Sequence, residues 1–510
     1  MPNPITNVLR LSKAGFILAR YNALLPPDQS AKAPWLIRMG SKLAQFGASQ
    51  NFQGGQHNRL TLALSKLGPS YIKLGQFLAT RPDVIGAKRA FELKALQDKL
   101  PPFPQAEAEA IVASELGKPV SKLFKFFGPA VAAASIAQVH KAETHDGKIV
   151  AVKILRPDVE RRFANDIASF AFAARQAVRF SKEGRRLRPI EAVAMLETSM
   201  VHELDLRMEA AALSEVAQNS KDDPGFRVPE VQWGLSAKRV LTTEWIDGTP
   251  MANVEALRTR GLDLAALGDT VIQSFLRHAI RDGFFHADMH QGNLFVDPVG
   301  NLVALDFGIT GRLSESDRVF LAEILYGFIT RNYRRIAQVH FDAGYVPQTE
   351  DVETFAQALR AIGEPIMDLP AGEISMSRLL TQLFEVTEQF NMQAQPQLLL
   401  LQKTMVVTEG VARSLNPNLN IWKTGEPVVR SWIERKLGPL GKIEQALSSA
   451  GTLGSLALRV PRLVEEAHRV HLKLDAFLTA QSTPPDPWPT RMLAVCAVAL
   501  VVIAAHLVLR

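Results

Sequence analysis

Three residues in the stretch "HADMHQGNLFVDPVGNLVALDFGITGR" (286–312) have types and spacing that suit phosphoryl transfer: Asp288, Asn293 and Asp306. That chemistry asks little covalent work of a protein. It needs metal ions, a cation on the phosphates and a carboxylate placed at the acceptor. Asp288 supplies a carboxylate, and Asn293 supplies an amide five residues later. Asp306 comes 18 residues after Asp288, a separation filled by one β-hairpin turning at "PVGN". Upstream, "VAVK" sets Lys153 on the β-rich run "KIVAVKIL" (148–155), where an ammonium reaches phosphate oxygens. Singly each feature is weak, since strand lysines are mostly solvated and an Asp-Phe-Gly triplet arises by chance. Their joint order and spacing carry the reading.

In that order they resemble the working parts of a protein kinase. There Asp288 orients the acceptor, Asn293 and Asp306 bind Mg²⁺, and Lys153 holds the α- and β-phosphates. A kinase lysine is held by a glutamate from a neighbouring helix. "ETSMVHELDLRMEAAAL" offers Glu203, Asp205 and Glu209, and spacing does not choose among them. "VLTTEWIDG" reads as a strand entering an interlobe hinge, with the backbone of Glu244, Trp245 and Ile246 facing adenine.

Two departures stand out. Where a kinase has its glycine-rich loop, "GPAVAAASIAQVHKA" (128–142) has Ala132, Ala133, Ala134 and Ser135. Alanine keeps the backbone N–H groups but not glycine's easy positive φ, so a stiffer loop and a changed nucleotide pose are expected. Ala287 stands where His-Arg-Asp has arginine, a residue that in many kinases pairs with a phosphate on the activation loop. "ITGRLSESDR" after Asp-Phe-Gly is too short for a long activation loop, and no Ala-Pro-Glu follows. The chemistry is expected without the usual switch.

The elements that must position these groups fall in a consistent order. Residues 1–105 read as a helical extension, 106–245 as a lobe mixing helices and strands, and 246–480 as a helical lobe interrupted by the 294–307 hairpin. Together they predict an α+β, two-lobed, protein-kinase-like fold. At 510 residues, 47% hydrophobic and 21% charged, the chain is too long for one small domain and is not disordered. The lone Cys496 excludes a disulfide framework and any cysteine-built metal site.

Charge is uneven. Residues 1–60 hold Arg10, Lys13, Arg20, Lys32, Arg38, Lys42 and Arg59 against Asp28 alone, most of the net +7. Interleaved with Ile5, Val8, Leu9, Phe16, Ile17 and Leu18, they read as a helix on an anionic membrane surface; a solvated helix and a transit peptide are the alternatives. Sparse aromatics and the absence of a recognition motif argue against nucleic acid. Residues 481–491 form a Pro-rich linker. "MLAVCAVALVVIAAHLVL" (492–509) is 18 residues with one ionisable group, His506, bracketed by Arg491 and Arg510. At roughly 27 Å as a helix it reads as a transmembrane anchor rather than a buried terminal helix. The body is then expected in the cytoplasm, on the inner membrane.

From about residue 60 to 475 the chain resembles the UbiB family of atypical kinases, also called ADCK. The marks are "KLGQ" (Lys73, Gly75, Gln76), "LQD" (96–98), "AAASIAQVH", "ELD" (Glu203, Asp205), "HADMHQGN" and "LDFG". The resemblance implies that the Lys-x-Gly-Gln extension folds across the active site, with Lys73 paired to Glu203 and Lys153 to Glu209. It implies ATP or ADP with Mg²⁺ as cofactors, and a role in ubiquinone biosynthesis. Membrane lipids, quinone precursors and other biosynthetic proteins are the implied partners, and a homodimer is allowed. An ATPase or small-molecule kinase fits best. A nucleotide-gated scaffold or lipid extractor is the main alternative, and a protein kinase acting in trans is a third. A soluble aminoglycoside-type kinase would share Asp288 and Asp306 but would not explain Lys73–Gln76 or the anchor.

Overall fold

The structure is a computed structural model that describes residues 4–21, 23, 59–79, 92–93, 96, 100–180, 189–367, 385–386, 389–392 and 396–437. Two units make up the chain, Met1–Trp432 and Ile433–Arg510, and the elements below belong to the first apart from the last turn of the final helix. The linker 481–491 and the apolar run 492–509 lie outside the described residues. Among those described, no helix is long and apolar enough to cross a membrane.

Helices α1 (Pro4–Arg20), α2 (Arg59–Leu67) and α3 (Pro69–Ala79) open the chain. After α4 (Gln105–Leu116) and the single turn α5 (Val120–Leu123) come β1 (Phe124–Ala133), β2 (Ala137–Thr144) and β3 (Ile149–Leu155). With β5 (Val240–Glu244) they form an antiparallel sheet ordered β1-β2-β3-β5. Alternation along β3 decides the geometry. Val150, Val152 and Ile154 are buried against Ala108, Ile111 and Val112 of α4, which turns Lys153 to the opposite face.

Three helices intervene between β3 and β5: α6 (Val159–Phe180), α7 (Pro189–Glu203) and α8 (Leu206–Asn219). The run expected as one helix through Glu203–Glu209 is therefore two. Asp205 breaks it, because its side chain accepts the Arg207 N–H as the N-cap of α8. The extension helices pack on α6. Asn7 meets Ser169, Arg10 meets Asp166 at 3.3 Å, and Tyr71 packs edge-on against Phe170. This face of α1 is buried in the protein, while Ile5, Val8, Leu9 and Phe16 are exposed.

A second sheet, ordered β4-β9-β8-β6, joins β4 (Phe226–Arg227), β6 (Thr249–Pro250), β8 (Leu294–Val296) and β9 (Leu302–Ala304). The β8–β9 hairpin is the one expected around "PVGN". Between β6 and β8 lie α9 (Val254–Thr259), α10 (Leu264–Leu276), a π-turn (Arg277–Asp282) and β7 (Phe284–His286). β7 pairs with β10 (Thr310–Arg312). α11 (Glu315–Ile329) starts at once, capped by Ser314 with Asp317 in a reciprocal capping box, so no activation segment intervenes. The chain continues through α12 (Tyr333–Asp342), α13 (Val352–Met367), α14 (Pro396–Leu415) and α15 (Ile421–Leu437).

Candidate active site

Lys153 is the centre of the site. Its Nζ donates to both Glu209 oxygens, at 2.8 and 2.9 Å, and lies 3.3 Å from Asp306 Oδ2. Glu209 reaches it because α8 buries Glu209, Leu213 and Val216 on one face, at helical spacing. Of the three acids the sequence left open, Glu209 takes Lys153, Glu203 takes Lys73, and Asp205 is a cap. The Lys73 Nζ–Glu203 Oε2 distance is 2.6 Å and both side chains are buried, the pairing that the family resemblance implied.

Electrostatics separate the two carboxylates on Lys153. Burial works against the charge of Asp306, but Lys153, the Gly308 N–H (2.9 Å) and Lys73 hold its carboxyl well below the usual range. Burial raises Glu209 to about 7, with Lys153 opposing and Asp306 adding. Lys153 is raised: burial opposes its charge, but Asp306 and Glu209 outweigh it. The Lys73–Glu203 pair ties the Lys-x-Gly-Gln helix to the end of α7, just before α8 and Glu209. Gly75 allows that helix its seat, since a Cβ there would come within 2.8 Å of Leu64 and 2.7 Å of Leu96.

The loop carrying Asp288 is held from several sides. The Asp288 N–H donates to His286 Nδ1 (3.0 Å), and Asn293 Nδ2 donates to the Asp288 carbonyl (3.1 Å). Burial lowers His286 to about 4, so its ring is a neutral acceptor. His290 Nε2 lies 3.5 Å from Asp288 Oδ2. Because the Asn293 amide nitrogen faces the loop, its Oδ1 is turned away and available as a ligand. That oxygen and the half-open, ionised Asp306 are a hard oxygen pair that suits Mg²⁺ bound with a nucleotide, which draws few ligands from protein. No group of three His, Cys, Asp or Glu residues forms a metal cage among the described residues.

The alanine-rich stretch is mostly strand. Ala132 and Ala133 end β1, and only Ala134, Ser135 and Ile136 make the turn into β2. Arg156, which the sequence reading missed, pins that turn: its Nε and Nη2 donate to the Ala134 carbonyl at 3.0 and 2.8 Å, and Nη2 also to Pro101. "AQVH" is a buried chain of hydrogen bonds rather than a ligand site. Gln138 bonds both backbone groups of Phe103 and His140 Nε2, and His140 Nδ1 meets the Gly128 carbonyl at 2.8 Å.

At the hinge, the Glu244 and Trp245 N–H groups donate to the Glu230 and Ile149 carbonyls. Among the described residues, Ile246 is thus the one of the three whose N–H has no backbone partner. The Glu244 carboxylate is also occupied, by Arg227, which bonds Asp297 on the other sheet at 3.0 Å. Neither Arg227 nor Arg156 has a motif, so only tertiary contact identifies them.

A strand lysine paired to a helix glutamate, an Asp-Phe-Gly aspartate beside it and a short loop with Asp288 and Asn293 define an atypical kinase-like domain. Residues 95–340 match the ABC1 atypical kinase-like domain and residues 359–420 the UbiB helical domain. A probable protein kinase UbiB from Marinobacter nauticus is 38% identical over 91% of this chain and 85% of its own length. Its Pseudomonas aeruginosa counterpart is 39% identical over 89% and 85%. The chain belongs to the UbiB family. Among solved structures, Rv3197 of Mycobacterium tuberculosis, determined in complex with erythromycin, is 26% identical, with a TM-score of 0.51 over 77% of this chain and 97% of that one.

Proposed function

We propose that this chain binds Mg-ATP between the alanine-rich turn, Lys153 and Asp306, and turns it over in support of ubiquinone biosynthesis. The observation that carries this reading is Lys153 held by Glu209 with Asp306 at 3.3 Å, the arrangement that grips nucleotide phosphates. Asp306 and Asn293 Oδ1 would hold Mg²⁺, which when bound neutralises phosphate charge. Lys153 would hold the α- and β-phosphates, and Asp288 would orient the acceptor hydroxyl or water. With the Lys73 helix tied to the end of α7, just before α8 and Glu209, water or a small molecule fits as acceptor better than a folded protein. In this reading residues 1–105 form the extension, 106–245 and 246–480 the lobes, 481–491 a linker and 492–509 the anchor to the inner membrane. The partners would be lipids, quinone precursors and other biosynthetic proteins.

A nucleotide-gated scaffold or lipid extractor is a second reading, favoured by the exposed Ile5, Val8, Leu9 and Phe16 on α1. Ubiquinone and its prenylated precursors, measured by mass spectrometry in a strain lacking this gene, separate the two. If only wild type restores quinone, and Asp288→Asn does not, turnover is part of the function. Equal rescue by Asp288→Asn supports the scaffold, whereas an empty strain with normal quinone would sink the ubiquinone assignment.

A further inference from the structure

With Ala287 in place of arginine, and α11 beginning seven residues after Gly308, the Asp288 loop cannot be ordered by a phosphate-paired arginine. Something else must hold it. The residue before Asp288 is pinned on both of its backbone groups. The Ala287 N–H donates to the Ile309 carbonyl at 3.0 Å, across the β7–β10 pair. The Ala287 carbonyl accepts from Thr404 Oγ1 at 3.1 Å, a buried contact between residues 117 apart in sequence. Thr404 is 1% exposed, and its single hydroxyl proton is shared with the Leu400 carbonyl at 2.8 Å. A second tie lies on the far side of Asp288, where Gln291 Nε2 donates to Ser414 Oγ at 2.7 Å. Thr404 and Ser414 both belong to α14, ten residues apart, nearly three turns. The same helix packs on α10 and on β10, the strand that follows Asp-Phe-Gly.

We propose that α14 is a fixed brace for the Asp288 loop, and that Thr404 and Ser414 are positioning residues for phosphoryl transfer. The inference rests on the reading of this site as an ATP-turnover centre. The brace takes the structural place of the arginine switch, and its bonds are built into the fold. It acts on the acceptor side of the site: Lys153 and Glu209, which grip the phosphates, are held by β3 and α8 and make no bond to the described side chains of α14. Loosening the brace should therefore change the rate of the chemical step and leave nucleotide binding alone, since small misplacements of a reacting group cost far more in rate than in affinity. Ala287 itself is buried, 1% exposed.

The test is steady-state ATP turnover by the full-length chain in detergent micelles, comparing wild type with Thr404→Val, Thr404→Ser and Ser414→Ala. Thr404→Val removes the hydroxyl and keeps the shape. Its kcat should fall about tenfold, with KM for Mg-ATP within about twofold of wild type, and Thr404→Ser should recover most of the rate. Ser414 is exposed, so Ser414→Ala should fold normally and lose about twofold in kcat. Unchanged kcat in both Thr404→Val and Ser414→Ala would overturn the brace. So would an equal rise in KM, or failure of Thr404→Ser to recover the rate. A wild-type protein that binds Mg-ATP without turnover would overturn the enzyme reading instead, a result distinct from either of these.

Discussion

Lys153 faces two carboxylates that differ in solvation, and the difference has a measurable consequence. Lys153 and the Gly308 N–H hold Asp306 well below the usual carboxylate range, while burial raises Glu209 to about 7. A carboxyl whose native value lies above its ordinary 4.5 binds its proton more tightly folded than unfolded. Its contribution to stability is therefore present at low pH and is lost as pH rises through that window. Buried His140, His278, His286 and His340, all lowered, act in the opposite direction, so the contribution of Glu209 is read as a difference: the denaturant midpoint of nucleotide-free wild type relative to Glu209→Gln should fall between about pH 5 and about pH 7. An unchanged slope in the variant would assign the titration to another group. The site residues themselves were legible from sequence because Asp288, Asn293 and Asp306 lie on one short stretch with fixed offsets. The partner of Lys153 was not legible: Glu203, Asp205 and Glu209 fall within seven residues, and only the helix break at Asp205 separates their roles.

At the scale of elements, two connections decide how the site is shaped. The Ala134 turn is closed by its own Ala134 N–H to Ala137 carbonyl bond and held from outside by the Arg156 guanidinium. Arg156→Ala removes two charge-assisted bonds to one carbonyl and should raise KM for Mg-ATP about tenfold, with kcat within about twofold. A change in kcat with KM unmoved would mean that the turn serves chemistry rather than binding. The extension helix α3 is fastened by the Lys73–Glu203 pair, both buried. Glu203→Gln would remove a carboxylate partner of the buried Lys73 ammonium, at a cost of about 1–3 kcal/mol. Calorimetry should show the loss, and Glu203→Asp should recover part of it. The β-rich run "KIVAVKIL" revealed the strand that bears Lys153, and the packing of Val150, Val152 and Ile154 on α4 decided which face it occupies. The alanine-rich run was read as a loop because small residues carry no strand pattern, yet the pairing of β1 with β2 makes most of it sheet.

For the whole molecule, the described helices of the extension, α1 to α3, are part of the folded body. α1 packs Asn7, Arg10, Ala14 and Ala19 inward and carries Ile5, Val8, Leu9 and Phe16 outward, so an exposed apolar surface and a protein-facing one share a single helix. If residues 492–509 anchor the chain, truncation after residue 480 should shift it from the membrane fraction toward a fraction released by about 1 M salt, since α1 alone would then hold it electrostatically. Retention of the truncated chain in salt-washed membranes would instead assign the anchoring to α1 or another segment of the body.

What the sequence determined by itself was local: the spacing of Asp288, Asn293 and Asp306, the hairpin between them, the strand that bears Lys153, and the missing arginine at Ala287. Each depends on neighbours a few residues away, so periodicity and turn chemistry suffice to read it. What only the tertiary structure decided was which distant groups meet: Arg156 on Ala134, Arg227 bridging Glu244 and Asp297, Thr404 on Ala287. These contacts join residues 17 to 117 positions apart. Their geometry is set by the packing of whole helices and sheets, which no local pattern encodes.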